Sequence, residues 1–95
     1  MENGFDIWQE ASQIPPNRLE LVIASLSREK ETIQNPERIA MINRIIGLAN
    51  YLATRREKNI LTRTDYQQVM QELDIGRHSV RSYLVEIKKR VYGQT

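Results

Sequence analysis

Two amphipathic periodicities, separated by only four residues, constrain this chain more than any other feature. Tyr66, Val69, Met70 and Leu73 recur at i, i+3, i+4 and i+7, the spacing of one helical face. Thr62 stands at the N-cap position of that helix. Asp65, three residues on, suits a capping box and the positive end of the helix dipole. Asp74, Ile75, Gly76 and Arg77 come next. Val80, Tyr83, Leu84, Ile87 and Val91 then repeat a helical spacing. The pattern predicts two short helices joined by a tight turn, the second basic on its outer face.

The stretch from Leu73 to Leu84 resembles the helix-turn-helix superfamily. In that pattern a Leu, a turn residue and an Ile precede a capped helix whose first buried position is Val. Leu73, Ile75, Val80 and Leu84 stand at the matching buried positions. Three positions differ from the usual pattern. Asp74 replaces the usual turn Gly, and Asp tolerates positive φ better than most residues. Gly76 replaces the usual Ser cap, a weaker but acceptable N-cap. Met70 stands where a small residue usually lets the helices cross closely. The resemblance covers about the last third of the chain and reaches a superfamily, not a particular protein. It implies that the helix over 77–92 enters the DNA major groove, with its first turns at base edges.

Charge is distributed in the same sense. Net charge is only +2. Residues 1–54 hold five Lys/Arg against seven acids, net −2, whereas residues 55–95 hold nine against five, net +4. The basic part is the part with the paired helices, which suits an anionic partner as well as an ordinary solvated face. Ninety-five residues make one domain with a single core. Apolar residues at 40% and charged residues at 27% describe a globular chain rather than a disordered one. Cysteine is absent, which removes disulfide scaffolds and Cys-based metal sites. No apolar run approaches the roughly 20 residues of a membrane span. Met1-Glu2-Asn3-Gly4 lacks the basic start of a signal peptide. A cytoplasmic, nucleoid-associated protein is expected, with no cofactor.

The rest of the chain is expected to supply the core. Phe5, Ile7, Trp8 and Ala11 make a short apolar opening of one or two helical turns, with Trp8 as a core anchor. Pro15-Pro16 ends it. Asn17 is expected to start the next helix, with Glu20 at the capping-box position and Leu19, Val22, Ile23 and Leu26 on one face. Leu21 falls on the opposite side. That helix fades near Thr32. Asn35-Pro36 is a strong start for a third helix, running to about Lys58. Its apolar residues form two adjoining stripes: Ile39, Ile42, Ile46, Ala49 and Ala53, then Met41, Ile45, Leu48 and Leu52. Together they cover about half the circumference, which marks a central helix or a dimer contact. Ala40, Asn43, Gly47, Asn50 and Thr54 make a small-residue arc, suited to close packing or a subunit contact. Arg55 and Arg56 suit the helix C-terminus or a phosphate. No hairpin-forming sequence follows Val91. The expected fold is all-α, with four main helices, a C-terminal helix-turn-helix and no conventional C-terminal wing. Residues 1–58 form the N-terminal helices and residues 59–95 the motif.

Candidate chemistry concentrates on the last helix. Wound at about 100° per residue from Arg77, its apolar positions occupy about 240° to 340°. Arg77, Lys88 and Arg81 fall within about 40° of the origin, and His78, Lys89 and Ser82 between about 100° and 140°. Arg77, His78, Arg81 and Ser82 therefore share the outward face of the first two turns. Arg suits guanine O6 and N7 through a bidentate contact, and Ser is a permissive donor or acceptor. Arg63, Lys88, Lys89, Arg55 and Arg56 are candidate phosphate contacts. Val85 is apolar yet outward, toward a thymine methyl group or a partner chain. One His, no Cys, no P-loop and no GxGxxG leave an enzyme little to work with. The sequence is therefore read as a non-enzymatic, sequence-specific reader of double-stranded DNA, expected to be a homodimer. It would serve transcriptional control or plasmid or phage DNA maintenance. A protein-interaction adaptor that keeps the same fold is the alternative, and a module of a longer protein remains a third reading.

Overall fold

A computed structural model describes residues 5–54 and 62–93. Within the described residues five helices follow one another: α1 (Phe5–Ala11), α2 (Pro16–Glu31), α3 (Pro36–Thr54), α4 (Arg63–Leu73) and α5 (Arg77–Val91). Among the described residues there is no strand, so the chain is all-α as expected. The apolar opening is a helix in its own right, a fifth beside the four main ones. The expected extension of α3 toward Lys58 lies outside the described residues. No described helix is long and apolar enough to cross a membrane.

Local chemistry explains most helix ends. Asn35 Oδ1 accepts from the backbone N–H of Glu37 at 2.9 Å and of Arg38 at 3.4 Å, which relieves two of the orphan donors of α3. Thr62 and Asp65 form the capping box reciprocally. Asp65 N–H donates to Thr62 Oγ1 at 3.4 Å, and Thr62 N–H donates to Asp65 Oδ2 at 2.9 Å. α2 corrects the expectation for Asn17. The helix starts at Pro16, with Pro15 at the N-cap and no side-chain cap. Pro16 has the φ of a first helical residue and no N–H to satisfy, so the pair of prolines sets the cap two residues earlier, at Pro15, and Asn17 is already inside the helix.

Asp74 ends α4 at φ 54°, ψ 50°, the left-handed region. The N–H of Ile75 reaches Met70 O at 3.0 Å and that of Asp74 reaches Gln71 O at 3.3 Å. These are the two bonds of a Schellman ending. Glycine holds this conformation without the Cβ penalty that Asp bears. Asp74→Gly should therefore raise stability by about 1 kcal/mol, seen as a higher midpoint in a thermal melt. An unchanged or lower midpoint would show that the Asp side chain offsets its own backbone strain.

The core is one cluster to which all five helices contribute. α3 packs against α2, α4 and α5, and α5 packs against α1, α2 and α3. Ile42, Ile45, Leu48, Ala49 and Leu52 of the two α3 stripes are buried inside the chain. Tyr51 joins them although it lies outside both stripes. Its ring sits 6.2 Å from that of Trp8, and Trp8 sits 5.5 Å from Tyr66. Tyr51 Oη also donates to Asp65 O at 3.5 Å. The small-residue arc has a packing use: a Cβ added at Gly47 would come 3.1 Å from Leu73 Cδ2. The missing Cβ lets α4 lie close to α3. The wide apolar arc of α3 is thus largely consumed by its own chain.

Candidate nucleic-acid interface

Gly76, in extended backbone at φ −84° and ψ 172°, is the N-cap of α5, which runs fifteen residues from Arg77 to Val91. Val80, Leu84 and Ile87 are fully buried, with Tyr83 and Val91 nearly so. That stripe fixes the rotation of the helix, and rotation decides which side chains reach solvent. The far end is held too. The guanidinium of Arg18 on α2 donates to Val91 O at 3.2 Å, satisfying one of the orphan carbonyls of the last turn.

Each flank of α5 is pinned by an ion pair to another helix. On one side Lys88 pairs with Glu10 of α1. On the other Arg90 pairs with Glu29 of α2 at 3.1 Å and with Glu86 of its own helix at 2.8 Å. Exposed pairs of this kind add little stability each. They mark instead where α1 and α2 lie, at the two sides of α5 with the strip between them open.

Arg77, His78, Arg81 and Ser82 lie on that open strip, all exposed. Among the described residues, no hydrogen bond or ion pair engages any of these four side chains. Lys89 is exposed in the last turn and Val85 is half-buried between the two ends. Lys88 differs from Arg77, Arg81 and Lys89, since its charge is already matched by Glu10. Arg63 is exposed in the first turn of α4. Arg55 and Arg56 lie outside the described residues.

One cation was not singled out by the sequence. Arg38, exposed in the first turn of α3, borders the same cleft of about 260 Å³ as Ser82. The cleft runs between α2, α3 and α5. Arg38 and Ser82 stand 44 positions apart (82 − 38), and no local pattern links them. Among the described residues, no group of three or more His, Cys, Asp or Glu is placed to hold a metal ion. Compared with known proteins, the chain matches no family model, no curated protein and no solved structure.

Proposed function

We propose that this chain is a non-enzymatic double-stranded DNA-binding protein of the helix-turn-helix type, reading the major groove with α5. The observation that carries the reading is the row of Arg77, His78, Arg81 and Ser82. It combines exposure, hydrogen-bonding capacity and, among the described residues, freedom from internal partners in the first two turns of a helix seated on the core by Val80, Leu84 and Ile87. Rigid presentation matters, because a side chain held by its scaffold loses less freedom on binding. Arg77 and Arg81 have the fork that meets guanine bidentately, and Ser82 and His78 supply further donors and acceptors. Arg63 and Arg38 lie on the neighbouring helices as phosphate contacts, which orient the protein without reading sequence. Such a reader suits transcriptional control and plasmid or phage DNA maintenance alike, and would work as a homodimer.

A selection of the full chain against random duplex DNA tests this directly. A recurring short motif should be enriched, and its affinity should fall steeply with salt. If no motif emerges over several rounds, the reading is wrong. One observation favours the adaptor alternative, in which the chain binds protein and not DNA. Ile7, Val85, Lys88, Lys89 and Tyr92 line a shallow groove of about 280 Å³, and Tyr92 is 62% exposed.

A further inference from the structure

We infer that the cleft between α2, α3 and α5 binds a small α-amino acid with an apolar side chain, the charged head at its mouth and the side chain on its floor. The cleft holds about 260 Å³, just below the roughly 300–1,000 Å³ of pockets for drug-sized ligands. It has the size for one small molecule.

Depth sorts the lining by polarity. Leu26, Ile42, Ile45 and Tyr83 are buried, and half-buried Met41 joins them. Arg38 and Ser82 are exposed and mark the mouth. An apolar body placed inward is removed from water, which is favourable. Met41 is unbranched and adapts its shape to such a body. A charged head at the mouth stays partly hydrated and escapes the full penalty of burial.

Charge on the lining has two signs, and each is locally unbalanced. The Arg38 guanidinium has no hydrogen-bond or ion-pair partner among the described residues. Arg90 is shared between Glu29 at 3.1 Å and Glu86 at 2.8 Å. Two carboxylates on one guanidinium leave that group with surplus negative charge. Glu86 meets Arg90 through Oε2, and its Oε1 accepts no hydrogen bond among the described residues. The lining as a whole, two Arg against two Glu, is neutral. A simple anion is drawn to Arg38 but repelled by the surplus on Glu29 and Glu86, and a simple amine meets the reverse. A zwitterion suits both. Its carboxylate takes the fork of Arg38, which can hold it bidentately, and its ammonium donates to Glu86. The Ser82 hydroxyl is a further donor or acceptor for the same head.

Amide NMR of the full nitrogen-labelled chain, titrated with L-phenylalanine and with L-leucine in the absence of DNA, tests the inference. At least one should shift the amides of Met41, Ile42, Ser82 and Tyr83 saturably at millimolar concentration or below. Its analogues lacking the carboxylate (phenethylamine or 3-methylbutylamine) and lacking the ammonium (3-phenylpropionate or 4-methylpentanoate) should each bind about tenfold more weakly or worse. Arg38→Gln and Glu86→Gln should each weaken the amino acid by a similar factor with unchanged helicity by circular dichroism. Arg44→Gln, an exposed change on α3 outside the lining, should leave its affinity as it was. No saturable shift with either amino acid overturns the inference, as do shifts confined to residues outside the cleft. Analogues that bind as well as the amino acid overturn it too, and so does affinity that survives both cleft variants or falls equally in Arg44→Gln. The site does not depend on the DNA reading. A chain that binds the amino acid but selects no duplex sinks only that reading, and one that selects a duplex but binds neither amino acid sinks only this site.

Discussion

Val80→Asp should abolish the folded state. Val80 has no accessible surface and sits one turn into α5, where the helix first meets the core. Truncating a buried Val loses roughly 1.5–3 kcal/mol of burial. Putting a carboxylate there adds the penalty of an ionised group with no partner, and such changes exceed about 4 kcal/mol. A small domain holds only about 5–15 kcal/mol in total. Circular dichroism should show most helicity lost at 25 °C, or a thermal midpoint lowered by tens of degrees. A matched control, Val85→Asp, carries the same chemistry on the half-buried outer strip and should keep the fold. If the two variants melt alike, the rotation assigned to α5 is wrong, and with it the choice of outward residues.

The contrast between those two valines was legible in the sequence because helical periodicity places them on opposite sides of α5. So were features written within a few residues. Asn35-Pro36 announces a helix start, Thr62 and Asp65 a capping box, and Asp74 a left-handed turn, and each has the corresponding geometry. The start of α2 was misread because two rules competed. Asn17 is a good N-cap, but Pro16 before it fits the first helical position better, and its fixed φ set the boundary. Tyr51 escaped the stripes of α3 because a long aromatic side chain at their border can reach sideways, here to Trp8 and to the backbone of Asp65. Contacts between distant residues were invisible for a different reason. Lys88 and Glu10 are 78 positions apart, and only the docking of α1 on α5 brings them together. That pairing sets Lys88 apart from Lys89, beside which the sequence had placed it as a candidate phosphate contact.

The strongest functional prediction sets Arg77 and Arg81 against Arg63 and Arg38. All four are exposed arginines, so any non-specific attraction to DNA treats them alike. Position separates them. Arg77 and Arg81 project from the first two turns of α5, where a helix in the major groove meets base edges, while Arg63 and Arg38 lie on flanking helices, where phosphates run. Arg77→Ala or Arg81→Ala should cost about 1–3 kcal/mol on the selected duplex and relax preference at one base pair. Neither should matter as much on scrambled duplex. Arg63→Ala or Arg38→Ala should weaken every sequence by a similar factor and lower the salt slope by about 0.9 for each phosphate contact removed. Lys88→Ala should do less than either, since Glu10 already balances that charge. Titrations of parent and variants against selected and scrambled duplexes, at several salt concentrations, separate these outcomes. Affinity that depends on salt but not on sequence, with equal small losses at all four arginines, would leave only a basic surface and no reader. In that case the outer strip of α5 belongs to a protein partner, and the groove beside Val85 and Tyr92 is where that partner should be sought.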